Sequence, residues 1–179
     1  SRDWSSDVCS SDLVNTTDPA EMEQVKALLG EAKPTLLAFD DTTFYSRLVS
    51  GEAVLVEAWD GWCNYGIAEN ADIRFVIPSE GADVWTDTMT ILATSQHQEA
   101  AHKLIDFILR PDIHRWVAEN ILYKVPNKAA MDTQAVMDLN AAYPNMGMTP
   151  ADLLKQEVVV DLGEDSVKYT DLATEVTSN

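Results

Sequence analysis

The chain has 179 residues, 46% of them hydrophobic, with 12 Lys and Arg against 30 Asp and Glu for a net charge of −18. The apolar share is that of a globular chain rather than a disordered one, and the acidic balance lacks the basic footprint of a nucleic-acid binder. No apolar run approaches the ~18 residues of a membrane span.

The first element in chain order is "SRDWSSDVCSSDL", residues 1–13. It has one positive charge, Arg2, and no apolar run after it, so it is not a signal peptide. Cys9 has no partner at metal-ligand spacing. Asp3 to Asp12 can be back-translated as GAC TGG AGT TCA GAC GTG TGC TCT TCC GAT, with CT opening the codon of Leu13, which looks like a common short-read sequencing adapter. Residues 1–13 are therefore expected to be a disordered, adapter-derived artefact and are set aside. The remainder suits about one domain at ~100–200 residues each. Cys63 is then the sole cysteine, which excludes an internal disulfide and a thiolate-rich zinc site and suits a small core residue.

Asp18-Pro19-Ala20-Glu21 starts a helix with an N-cap acid, Pro at its first position and an acid at its third. Met22, Val25, Leu28 and Leu29 recur at helical spacing, and Gly30 is the expected stop. "TLLAF" (35–39), "AVLVEAW" (53–59) and "IRFVI" (73–77) read as buried strands, with helices "FYSRLVSGE" and "GWCNYGIAEN" between them. "ADVWTDTMTIL" (82–92) is expected to be extended. "QEAAHKLIDFILR" (98–110) is an amphipathic helix, Pro111 begins another, and "YKVPNKAAM" is a loop. Thr149 caps a further helix, and "GEDSVKYTDLATEV" closes the chain as a helix. Alternating strands and helices with short connections predict an α/β fold with a largely parallel sheet. Ligands in such sheets bind at the carboxyl ends of strands, here Asp40–Thr43, Trp59–Gly61 and Pro78–Gly81.

Enzyme signatures are absent: no HExxH, GxSxG, Walker loop or GxGxxG occurs, and His97, His102 and His114 form no close ligand pair. Neither a catalytic residue, a metal nor a cofactor is expected. The aromatic residues are more informative. Trp59-Asp60-Gly61 ends one predicted strand, and Trp85-Thr86-Asp87 lies in the next extended segment, where i, i+2 spacing puts indole and carboxylate on one face. Such a pair holds an alkylammonium group: the carboxylate compensates its charge and the ring face attracts it and packs its methylenes. Tryptophans packed in a core, with acids merely nearby, are the competing reading.

The stretch from Gly51 to Ala130 resembles the C-terminal half of the bacterial spermidine/putrescine-binding proteins, the extracytoplasmic receptors of polyamine ABC importers. The resemblance rests on Ser50-Gly51-Glu52, Trp59-x-Gly61, Pro78-x-Glu80-Gly81, Trp85-x-Asp87, Asp106-Phe107, Leu109-Arg110-Pro111 and Tyr123-x-x-Pro126-Asn127, in order. "NTTDP" (15–19) also fits, so most of residues 15–131 are covered.

The resemblance implies a partial bilobal periplasmic-binding-protein fold, type II-like. Residues 14–87 would be a partial second lobe, 88–128 a segment of the first lobe, and 129–179 the return to the second. It implies a substrate-binding component of an ABC importer that takes putrescine or spermidine in an aromatic and acidic interlobe cleft, without catalysis. Trp59 and Trp85 match the aromatic walls, Asp87 the acid that pairs with an ammonium, and Tyr123 a cleft-lining ring. Asp41 falls at a polar cleft edge, and Asp60 adds charge beside Trp59. Val159 stands where some members place a polar contact, which leaves the ligand's identity open. Implied partners are the polyamine and the transporter's membrane permease subunits, with no nucleic acid and a monomeric state. Location would be periplasmic, or extracytoplasmic with a lipid anchor, the export signal being missing from this fragment. Alternatives are a receptor for another small cationic or organic solute, an enzyme or sensor reusing the fold, and a truncated fragment that binds nothing.

Overall fold

The computed structural model describes residues 14–178; the adapter reading of residues 1–13 lies outside the described residues. In chain order the helices are α1 (Pro19–Ala32), α2 (Phe44–Ser50), α3 (Asp60–Glu69), α4 (Gln98–Ile108), α5 (Pro111–Ile121), α6 (Lys128–Met131), α7 (Gln134–Ala142), α8 (Pro150–Leu153) and α9 (Ser166–Ser178). Strands β1 (Asp83–Val84) and β2 (Glu157–Val158) pair in parallel, Asp83 opposite Glu157 and Val84 opposite Val158. The chain divides into two compact units. One comprises the described part of Ser1–Asp40 with Val76–Trp85 and Thr149–Asn179; the other comprises Asp41–Phe75 and Thr86–Met148.

The helix starts follow their caps. The Asp18 carboxylate accepts from the N–H groups of Ala20 and Glu21 at 2.8 and 3.1 Å, and Pro19 gives up only an N–H that a first turn leaves idle. Helix α1 runs two residues past Gly30, because Gly30 lies within a continuing hydrogen-bonded turn that ends at Lys33. Gly51 does stop α2, with φ at 76°. Thr149 and Asp152 form a reciprocal capping box at α8. The loop expected around Pro126 contains α6, whose N-cap Asn127 accepts from the Ala130 N–H.

In the first unit α1 packs against α9, burying Met22 and Val176. Lys33 Nζ donates to the carbonyl of Val176 at 2.6 Å, and Lys168 Nζ to that of Thr17 at 3.0 Å. Asn15 runs beside β2: its Nδ2 donates to Glu157 Oε1 and the Val158 carbonyl, both at 2.9 Å, and its Oδ1 accepts from the Val160 N–H at 3.0 Å. The second unit has its core between α5, α6 and α7, where Ala118, Val125, Ala130, Val136 and Met146 are buried. Helix α2 packs on α3 and buries Phe44 and Cys63, so Cys63 is the core residue expected.

The sheet is the main departure. Residues 35–39, 53–59 and 73–77 carry no ladder among the described residues. Val54 and Leu55 are 96% and 87% exposed. An apolar run of this kind is the pattern of a strand covered on both faces in a parallel sheet. Such a strand forms only when neighbouring strands supply its hydrogen bonds and helices cover its faces. Neither is supplied here, so the segments stay unladdered and open to water. Helix α4 likewise buries no residue, and Leu104 and Phe107 on it are exposed.

Candidate functional site

Five of the six expected site residues, Asp41, Trp59, Asp60, Asp87 and Tyr123, lie in the second unit, while Trp85 lies in the first. Strand β1 ends at Val84, so the strand alternation that would set Trp85 and Asp87 on one face stops short of both.

Trp59 is the N-cap of α3, and its indole is 39% exposed. Beneath it lies Phe44 of α2, buried, with ring centroids 6.3 Å apart in an edge-to-face arrangement. Phe44 also meets Trp62 at 6.3 Å, and Trp62 meets Tyr45 and Tyr65 at 5.7 and 5.6 Å. The indole therefore stands on a ring floor and keeps part of its surface exposed.

Asp60 opens α3, where the unpaired N–H groups of a first turn favour an acid. Its Oδ1 accepts from the Gly61 N–H at 2.9 Å. Buried Asn145, in the 3-10 turn Pro144–Gly147, donates from Nδ2 to the Asp60 carbonyl and to Oδ2 at 3.3 and 3.4 Å. The field of this carboxylate reaches three neighbours. It adds to the burial that pushes the Cys63 thiol up and opposes the burial that pulls the Lys124 ammonium down. The Nζ of Lys124 is buried with no hydrogen-bond partner in the structure.

The third neighbour is Tyr123. Burial, with the charge of Asp60 second, pushes its phenol up to about 12, against a hydrogen bond from the Trp62 backbone N–H. Tyr65 and Asp87 push it slightly further. The phenol is thus a neutral hydroxyl at any physiological pH. Its ring packs closely against the backbone of Gly61: a Cβ at Gly61 would sit 2.0 Å from two ring carbons. The Trp59-x-Gly61 spacing therefore has a physical cause, since only glycine admits the Tyr123 ring.

Two side chains of α3 hold the segment that carries Tyr123. Asn64, with no exposed surface, donates from Nδ2 to the carbonyl of Leu122 at 2.7 Å, and Tyr65 donates its hydroxyl to the carbonyl of Ile121 at 3.1 Å. Leu122 is the C-cap of α5 and, among the described residues, the one non-glycine with positive φ, 54°. A leucine in that region costs about 1–2 kcal/mol. Downstream, Asn127 Nδ2 donates to the carbonyl of Leu109 at 2.7 Å while capping α6, which gives Asn127 a structural task.

Asp41 is exposed two residues before Thr43, the N-cap of α2, and Asp87 is exposed. Sequence reasoning passed over Phe44, Asn64 and Asn145, and their burial carries no one-dimensional signature. A separate open groove of about 640 Å³ is lined by Met89, Ile91, Ala93, Gln98, His102 and Ile105, and shares no residue with the expected set. No group of three His, Cys, Asp or Glu able to hold a metal occurs among the described residues, and none of their helices is long and apolar enough to cross a membrane.

Residues 1–145 match the family described as bacterial extracellular solute-binding protein, and the chain belongs to that family. Membership implies a periplasmic-binding-protein fold, with which a short parallel ladder among helices is compatible as part of a whole. Among its relatives is a spermidine/putrescine-binding periplasmic protein of Salmonella typhimurium, 33% identical over 157 residues, which cover 87% of this chain and 44% of the relative. A protein of the same description from Escherichia coli is 38% identical over 116 residues, 65% of this chain and 33% of the relative. A putrescine/agmatine-binding protein of Pseudomonas aeruginosa is 27% identical over 123 residues, 65% and 34%. The chain thus spans less than half the length of these curated relatives. All three are described as binding proteins and none as an enzyme.

Proposed function

We propose that this chain is part of the substrate-binding component of an ABC importer, that its ligand is a polyamine such as putrescine or spermidine, and that it acts in the periplasm or at the outer face of the membrane, delivering ligand to permease subunits without catalysis. The observation that carries this reading is the half-open Trp59 indole on its ring floor, with the Asp60 carboxylate and the neutral Tyr123 ring held beside the same helix start. A polyamine needs that combination: ring faces for its methylenes and a fixed carboxylate for an ammonium. Trp85, 39% exposed, and the exposed acids Asp87 and Asp41 complete the proposed set. In this reading residues 14–87 and 129–179 belong to the second lobe of a bilobal fold and 88–128 to the first.

The unladdered, apolar segments 53–59 and 73–77 support the view that a larger sheet is needed. The test therefore uses a chimera joining residues 14–179 to the part of the Salmonella typhimurium relative outside the match. Titration calorimetry with putrescine and spermidine is expected to give saturable heat, and no heat with either overturns the polyamine reading. The 179-residue chain alone is expected to bind weakly or not at all. Val159, 47% exposed and apolar at a position implied to be polar in some relatives, favours a second reading, a different small cation. Agmatine in the same titration separates the two.

A further inference from the structure

We infer that Asn64 is a positioning residue: by holding the carbonyl of Leu122 it fixes the left-handed turn that lays the Tyr123 ring on Gly61. The inference rests on the reading of Tyr123 as part of the binding site, but the brace itself is a property of this chain.

Helix α5 ends in an unusual way. Leu122 takes φ 54° and ψ 30°, and its N–H bonds back to the carbonyl of Ala118. Glycine is the ordinary residue in that conformation, because a Cβ crowds the following carbonyl. A leucine stays there only when its surroundings determine the turn. Asn64 is the group that does so. It is buried on α3, and its Nδ2 reaches the Leu122 carbonyl at 2.7 Å. Tyr65, the next residue, holds the Ile121 carbonyl at 3.1 Å. Two consecutive carbonyls of α5's end are thus bonded to two consecutive side chains of α3. Tyr123 follows at once, and its ring lies where a Cβ on Gly61, also in α3, would collide with it. One helix therefore supplies the surface under the ring and the anchors of the turn that delivers it. Asn64 acts through Leu122 and Tyr123.

The test exploits the glycine preference of the turn. The 179-residue chain is prepared with Asn64→Ala, with Leu122→Gly and with both, and tyrosine ionisation is followed by ultraviolet absorbance, Tyr123→Phe identifying the late-titrating phenol. In Asn64→Ala the Tyr123 phenol is expected to fall from about 12 toward the ordinary 10.0 as the ring leaves its place. In the double variant it is expected to return, because glycine adopts the turn unaided. An unchanged titration in Asn64→Ala overturns the inference. So does a fall that Leu122→Gly fails to reverse, and so does loss of the folded circular-dichroism signal in both Asn64→Ala backgrounds, which would make Asn64 a packing residue only. Putrescine titration of the chimera carrying the same substitutions adds the functional arm, with about tenfold weaker binding expected in Asn64→Ala and recovery in the double variant. A phenol that responds as expected in a chimera that never binds putrescine leaves the brace standing and removes the polyamine reading instead.

Discussion

The Tyr123 ring and the backbone of Gly61 are in such close contact that a Cβ at Gly61 would lie 2.0 Å from two ring carbons. Both are rigid, one an aromatic ring and the other the first turn of α3, so neither relieves the clash cheaply. Gly61→Ala is therefore expected to expel the Tyr123 ring and destabilise the second unit by about 1–3 kcal/mol, the usual range for overpacking. Urea denaturation measures the loss. A stability equal to that of the unaltered chain would mean that the ring moves aside freely.

Phe44 lies edge-to-face against the Trp59 indole and is 4% exposed. Phe44→Ala removes a buried ring that contacts Tyr45, Trp59 and Trp62, and the expected cost is about 3–5 kcal/mol. Phe44→Leu keeps most of the volume and is expected to cost less than half as much. The tryptophan emission of the alanine variant should shift to the red as Trp59 and Trp62 become wetter. A large loss in the leucine variant with no spectral change would place the role of Phe44 elsewhere.

Local chemistry was legible in the sequence and long-range pairing was not. Asp18, Gly51 and Thr149 announce helix ends because a cap is a contact between residues two or three apart. The starts of α4 and α5 follow in the same way from periodicity and from Pro111. Composition makes segments 35–39, 53–59 and 73–77 look like strands, but a ladder depends on partners far away in the chain, and composition does not state whether they are supplied. The same division holds at the site. Trp59, Asp60 and Tyr123 are conspicuous residue types. Phe44, Asn64 and Asn145, which hold them, are ordinary until burial and a bond such as that to Leu122 single them out.

Tyr123 also predicts an alkaline limit. Burial and the nearby Asp60 raise its phenol from 10.0 to about 12, so the folded chain holds this proton more tightly than the unfolded chain does. The resulting stability is fully present below pH 10 and is lost as pH rises through about 12. Denaturant midpoints measured across that window should fall with pH, and Tyr123→Phe should flatten the fall. An equal slope in the phenylalanine variant would assign the effect to other groups.

His114 acts on the acid side. It is 6% exposed in α5, its Nδ1 has no hydrogen-bond partner in the structure, and burial holds it below its ordinary 6.5. The folded chain binds this proton less readily than the unfolded chain, so the stability it contributes is present above pH 6.5 and declines as pH falls through the lowered value. Thermal midpoints between pH 7.5 and 5 should drop, and His114→Phe should remove part of that drop. A variant whose pH profile superimposes on that of the unaltered chain would show that His114 is not the group that titrates.

Trp85 and Asp87 belong to the proposed ligand set, and their contributions are separable by chemistry. An indole acts on the whole alkylammonium chain through its face, about 0.5–2 kcal/mol for the cation contact with methylene packing added. A carboxylate acts on one charge, and a hydrogen bond to a charged group is worth about 1.5–3 kcal/mol. In the chimera, Trp85→Ala and Asp87→Asn are each expected to weaken putrescine binding by about 10- to 100-fold. Salt should discriminate between them. Raising ionic strength screens exposed charge, so affinity in Asp87→Asn should depend less on salt than in Trp85→Ala. Trp85→Phe keeps a ring face and should recover most of the loss. Unchanged affinity in both Trp85→Ala and Asp87→Asn would mean that the ligand binds elsewhere, even if the binding itself is real.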